Sequence, residues 1–309
     1  MTTPFALIRP GQAPLPPESL AHRSVPRRLH DLAAAAESFK IDEDLAEAVN
    51  VALAVGAPLL VTGEPGTGKT QLAYFLAWQF GLSPDQPFTF EVKSTSTARD
   101  LLYRFDTVAY FHSAQQKDGA RLDKQAFVEK GPLWRAFAAI RAGRPAIVLI
   151  DEIDKAPRDF PNDLLHELDQ YSFRVAETGE VVTADRKAPP PVVIVTSNSE
   201  KRLPDAFLRR CVFHRIEFSE AVLREAVRAR RELQRQEDLN EAAQARFLEI
   251  RRRLADQQQR PPATAEFLAW LAALQARGVR AEDLQSTSAR DLPLLAALIK
   301  DSSAREALG

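Results

Sequence analysis

With 309 residues, 45% of them hydrophobic and 27% charged, the chain has the balance of a soluble globular protein of two domains plus an extension, which excludes a fibrous or disordered polymer. Its 41 basic and 42 acidic residues leave a formal net charge of −1, so no global field draws it onto nucleic acid or an anionic membrane. The single cysteine, Cys211, excludes an internal disulfide, the five histidines show no metal-ligand spacing, and no run approaches the ~18 apolar residues of a membrane span, so a reducing, cytoplasmic setting is expected.

Prolines at 4, 10, 14, 16, 17 and 26 without a sustained period mark residues 1–37 as an extended N-terminal arm. From Ser38 the pattern changes. DLAEAVNVALAV has helical spacing, stops at Gly56 and runs into the apolar stretch 58–62, the first buried strand. A glycine-rich turn and the helical run QLAYFLAWQF follow. Four more short runs read as strands: FTFEVK (88–93), AIVLI (146–150), VVIVT (192–196) and HRIEF (214–218). Continuously apolar strands alternating with helices indicate a parallel sheet covered on both faces, a three-layer α/β core spanning 38–218. Within it, SFRVAETGEVVT predicts a hairpin around Thr178-Gly179. After Ser219 only helical spacing remains, so 219–309 reads as a small all-helical domain with a C-terminal tail; Asn240, Pro261-Pro262 and Gly278 mark its breaks.

Two motifs carry chemistry. Gly63-Glu64-Pro65-Gly66-Thr67-Gly68-Lys69-Thr70 matches G-x-x-x-x-G-K-[ST] between the first strand and a helix, the context a phosphate-binding loop requires. Its glycines let backbone N–H groups and the helix N-terminus face the β- and γ-phosphates of a nucleoside triphosphate, Lys69 adds a mobile positive charge, and Thr70 is placed to ligate Mg2+. The second motif is the apolar strand Ile147–Ile150 ending in Asp151-Glu152, at the sheet edge where ligands bind in such folds. Asp151 is suited to hold the magnesium through water, and Glu152 to orient or deprotonate the attacking water.

With both motifs in place, residues 40–275 resemble the AAA+ ATPases and, within them, the MoxR-like branch. The resemblance implies an ATP-hydrolysing P-loop core followed by a helical lid. In VVIVTSN it puts Asn198, beside Thr196 and Ser197, where the family carries a polar sensor of the γ-phosphate. In LPDAFLRRC it aligns Arg210, with Arg209 second, with an arginine that the family inserts into a neighbouring subunit's ATP site. It further implies a homo-oligomeric ring, expected to be hexameric, that remodels or assembles a protein client, with von Willebrand A-domain proteins as frequent partners of the branch. A nucleic-acid-directed motor and a slow nucleotide-gated switch are the alternatives. One departure stands out: the family often starts a lid helix with Ser-Pro-Arg, whereas Pro261-Pro-Ala-Thr-Ala-Glu266 has no arginine, and Arg260 reads as a solvated helix-end residue. The aromatics Tyr103, Phe105, Tyr110 and Phe111 are candidates for a pore contact, with core packing as the commoner fate, and the arginine runs 228–231 and 251–253 read chiefly as solvated helix faces.

Overall fold

Asp42 starts the first helix by accepting a hydrogen bond from the Leu45 N–H at 2.8 Å, satisfying one of the donors that a helix N-terminus leaves unpaired. The structure is a computed structural model that describes residues 16, 32–33, 36–37, 39–116, 122–185, 187–198, 203–230, 233–234 and 236–309. The expected proline-rich arm therefore lies almost wholly outside the described residues. Those residues fall into two compact units.

The larger unit, Lys40–Gly63 with Lys69–Glu217, holds α1 (Glu43–Val55), β1 (Leu59–Gly63), α2 (Lys69–Gln79), β2 (Phe88–Glu91), α3 (Ala98–Leu102), β3 (Tyr103–Phe105), α4 (Thr107–Gln116), β4 (Val128–Lys130), α5 (Pro132–Arg141), β5 (Ile147–Asp151), α6 (Phe160–Asp163), α7 (Leu165–Gln170), β6 (Ser172–Arg174), β7 (Val181–Thr183), β8 (Val192–Ser197), α8 (Asp205–Leu208) and β9 (Val212–Ile216). Five strands form a parallel sheet in the order β2-β5-β8-β1-β9. Successive strand side chains point to opposite faces, yet all five residues of β1 and the first four of β5 are buried, so both faces are covered. Helix α2 packs on β1, β5 and β8, α5 on β2 and β5, and α1 on β1 and β9. Trp134, Phe137, Phe160 and Phe207 are each at most 2% exposed within this core, and burying side chains of this kind stabilises a fold by about 1.5–3 kcal/mol apiece. This is the three-layer α/β core that the strand pattern predicts.

The hairpin around Gly179 is present as β6 and β7. Two expectations need correction. The last strand spans Val212–Ile216 rather than 214–218, because its register is set by β1, with Leu59 opposite Val212 and Gly63 opposite Ile216. Asn240 does not break a helix but lies inside one, where its amide donates to Leu233 O at 2.6 Å and accepts from Gln275 at 3.0 Å. Tyr103 is 3% exposed, the core packing expected as the commoner fate of these aromatics: its hydroxyl donates to Glu177 at 3.0 Å and accepts from the Ala176 N–H at 2.9 Å. It heads β3, which pairs antiparallel with β4 in a two-stranded ladder whose three-residue strands are too short for alternation to register.

The second unit comprises Phe218–Gly309, the described residues of Met1–Phe39, and Glu64–Gly68. Its helices are α9 (Glu220–Arg228), α10 (Glu237–Asp256), α11 (Thr264–Arg277), α12 (Ala281–Ser286), α13 (Leu295–Leu298) and α14 (Ser302–Glu306). Phe247, Phe267, Trp270, Leu271 and Leu284 form its core, with the Phe247 and Phe267 rings 4.8 Å apart. The Trp270 indole N–H donates to Pro293 O at 2.8 Å, so this buried ring leaves no unpaired donor. Among the described residues, no helix is long and apolar enough to cross a membrane.

Candidate functional site

Because β5, β8 and β1 are parallel neighbours, their C-terminal ends share one edge of the sheet, and Asp151, Ser197-Asn198 and Gly63 meet there. Thr70, in the first turn of α2, donates its hydroxyl to Asp151 Oδ1 at 2.9 Å, and Thr196 donates to the same oxygen at 2.6 Å. Burial raises the Asp151 pKa above the ordinary carboxylate value; these two hydrogen bonds pull it down, the Glu152 charge raises it and Lys69 lowers it, with burial dominant. A divalent cation fits such a group, since it would supply the opposite charge that a buried carboxylate lacks.

The backbone at Glu152 is left-handed, φ 59° and ψ 51°, a conformation that costs a non-glycine residue about 1–2 kcal/mol. It is held there by its own N–H, which donates to Thr196 Oγ1 at 2.8 Å. The Glu152 side chain pairs with Lys155 and accepts from Asn198 Nδ2 at 3.2 Å. The Asn198 N–H in turn donates to Asp154 Oδ1 at 3.1 Å, and Asp154 is 2% exposed. One network thus joins Thr70, Asp151, Thr196, Glu152 and Asn198.

Lys69 opens α2, and its ammonium donates to Gly63 O at 2.8 Å. The expectation of a mobile charge on an exposed loop needs correction, because Lys69 is 6% exposed. In the second unit, Thr67 donates its hydroxyl to Glu64 O at 2.8 Å, closing the turn that contains Pro65 and Gly66. Gly66 has φ +82°, and a Cβ there would lie 2.5 Å from the Ala265 N at the start of α11. Only glycine meets both conditions without strain. Residues 64–68 therefore form a tight turn whose curvature depends on a missing side chain, which is what a polyphosphate loop needs.

Residues 58–211 match the family model of the AAA domain, dynein-related subfamily. This stretch of the chain is an AAA domain. No curated protein matches the sequence. Among solved structures, a provisionally assigned ATPase from Cytophaga hutchinsonii ATCC 33406 is similar at 13% identity over 82% of each chain, with a TM-score of 0.38, too distant a likeness to carry an argument.

Not every candidate residue joins the network. Arg210 pairs with Asp169, Nε to Oδ2 at 2.9 Å, and also donates to Ala206 O at 3.1 Å. Arg209 is exposed at the end of α8, with its N–H bonded to Asp205 O at 3.0 Å. Phe105 packs against the core, Tyr110 against Phe105 and Phe127, and Phe111 is 61% exposed. In the arginine runs, Arg228 pairs with Glu225 and Arg253 with Glu249, while Arg260 is exposed.

Two contributors escape motif reading. Thr196 is one, a hydroxyl at the end of β8 that bridges Asp151 and Glu152; its signal is a polar residue closing an otherwise apolar run beside Asn198. Arg251 is the other. It sits four residues after Phe247 and three before Leu254, both buried, so helical spacing sets it beside the apolar stripe and separates it from exposed Arg252 and Arg253.

Proposed function

We propose that this chain is a MoxR-like AAA+ ATPase that binds Mg-ATP at loop 63–70, hydrolyses it, and works as a hexameric ring that remodels or assembles a protein client in the cytoplasm. The reading takes 38–218 as the ATPase core and 219–309 as its lid and tail. The observation that carries it is the hydrogen-bonded network from Thr70 through Asp151 and Thr196 to Glu152 and Asn198, at the C-terminal edge of the parallel sheet.

Each residue then has a distinct task. The backbone N–H groups of Gly63, Glu64, Pro65, Gly66, Thr67, Gly68, Lys69 and Thr70, proline excepted, bind and orient the phosphates, and Lys69 holds the loop closed through Gly63 until it turns to them. Thr70 and Asp151 would hold Mg2+, which when bound neutralises charge on the phosphates. Glu152 orients water and takes its proton, its carboxylate aimed by the strained backbone and by the amide of Asn198. Asn198, fixed by Asp154, keeps that geometry when the Glu152–Lys155 pair opens. Arg210 reaches a neighbouring subunit's site, with Arg209 as the second candidate; its own subunit holds it by an exposed ion pair with Asp169, a restraint of at most about 1 kcal/mol, and by an exposed hydrogen bond to Ala206 O. A von Willebrand A-domain protein is the class of partner this branch suggests.

The test is Mg-ATP binding by the wild-type chain and by Lys69→Ala, measured by calorimetry. The wild type should bind and the variant should lose detectable affinity while still unfolding in one cooperative transition. Equal affinity in the two would overturn the phosphate-loop assignment.

A further inference from the structure

The second unit contains a charge pair that no motif accounts for. Arg251 reaches Glu64 with both arms of its guanidinium, Nη1 to Oε2 at 2.9 Å and Nη2 to Oε1 at 3.0 Å. This is the fork-to-carboxylate geometry that arginine forms and lysine does not. Its side chain is 12% exposed, lies over the Phe218 ring at 3.7 Å from the centroid, and also donates to Pro262 O. The arginine is thus held from three sides, and its charge is spent on one carboxylate.

That carboxylate belongs to the first residue after Gly63 in the glycine-rich loop. On the proposed nucleotide reading, on which this inference rests, Glu64 sets a negative charge in the loop that must accept a polyphosphate. Left uncompensated, it repels the ligand. The lid segment Pro261–Glu266, where the resemblance implies an arginine, has none, and Ala265 there packs on Gly66 instead. A partly buried lid cation that engages the loop through a side chain comes instead from the preceding helix, α10.

We propose that Arg251 is a positioning residue for the nucleotide site that acts through Glu64: it cancels the Glu64 charge, so that the loop receives ATP without an internal repulsion. It follows that the effect of Arg251 on ATP should depend on Glu64 being ionisable. An arginine that touched the phosphates directly would not show that dependence.

The experiment is titration of the full chain with Mg-ATP and, separately, with adenosine, at low and high salt, for the wild type, Arg251→Ala, Glu64→Gln and the double variant. Arg251→Ala should weaken ATP binding by about tenfold to a hundredfold, the order expected of one unneutralised like charge close to the phosphates under partial solvent screening, and leave adenosine within about twofold. High salt should shrink the loss, since screening weakens the exposed repulsion. Adding Glu64→Gln should restore ATP affinity to within about threefold of the wild type. If Arg251→Ala fails to fold, Glu64→Gln alone decides: freed of its carboxylate, Arg251 should make ATP bind more tightly than in the wild type at low salt. A double variant as weak as Arg251→Ala, an equal loss for adenosine, or a Glu64→Gln chain that binds ATP less tightly overturns the inference. Wild-type binding with indifference to Arg251 also overturns it while leaving the nucleotide reading intact, whereas a wild type that does not bind ATP overturns both.

Discussion

Replacing Gly66 by alanine tests the tight turn directly, because the structure separates two costs. The first is backbone strain: at φ +82° a side chain costs about 1–2 kcal/mol. The second is steric. The new Cβ would lie 2.5 Å from Ala265 N and 2.8 Å from Ala265 Cβ, and since the first is backbone, no rotamer change relieves it. Overpacking of this kind adds about 1–3 kcal/mol. Gly278, at the far end of the same helix α11, is the control: its φ is +72°, yet nothing lies within 4 Å of a Cβ built there. Gly278→Ala should therefore lose about 1–2 kcal/mol, and Gly66→Ala about 2–5 kcal/mol, by the sum of the same two terms. Urea unfolding of both variants, followed by tryptophan fluorescence, gives the difference; Trp270 reports on this unit. Gly66→Ala should also lose ATP binding, and Gly278→Ala should keep it. Equal destabilisation in the two, or normal ATP affinity in Gly66→Ala, would refute the argument that close approach at Gly66 shapes the loop.

Two further outcomes follow from the network and from the exposed arginine. Burial raises the Asp151 pKa, so the folded chain binds this proton more tightly than the unfolded one; that contribution is full below the ordinary carboxylate pKa and is lost as pH rises through the raised value. Asp151→Asn, whose amide oxygen can still accept from Thr70 and Thr196, should hence melt higher than the wild type at pH 7 without nucleotide, with the gap narrowing towards pH ~4, and should lose hydrolysis; a lower melting point at pH 7 contradicts this. Arg210→Ala gives up an exposed pair with Asp169 and an exposed hydrogen bond to Ala206 O, so its melting point should change little while turnover falls, by up to the ~10³–10⁵ that a trans arginine supplies in related chemistry. Doubly tagged mixed rings of Arg210→Ala and Lys69→Ala should regain turnover over either pure variant; verified mixed rings with no gain would move the assignment to Arg209.

Much of the core was legible because its strands are short, fully apolar and bounded by turns, a pattern that β1, β5 and β8 each follow. Asp151 and Glu152 were legible as a pair for the same reason: charge at the end of an apolar strand marks the sheet edge. What single residues do there was less visible. Thr196 looks like one more β-branched strand residue until the fold turns its hydroxyl towards Asp151. Lys69 reads as a solvated cation, but its ammonium is buried against Gly63 O, a contact made within the curled loop itself. Asn240 carries a breaker's propensity, overridden by side-chain bonds to Leu233 and Gln275. Arg251 was hidden in a run of three arginines, where composition suggests a solvated face and only its position on the helix distinguishes it.

The central claim is that Glu152 performs the chemistry of Mg-ATP hydrolysis and does not merely shape the site. Single-turnover hydrolysis and equilibrium binding of Mg-ATP should be measured side by side on wild type and Glu152→Gln. Glutamine keeps the volume and can still accept from Asn198, so the account predicts affinity within about threefold of wild type and a loss of turnover of at least about a hundredfold, the range for removing a general base. Hydrolysis at the wild-type rate, or affinity that collapses together with turnover, would contradict it.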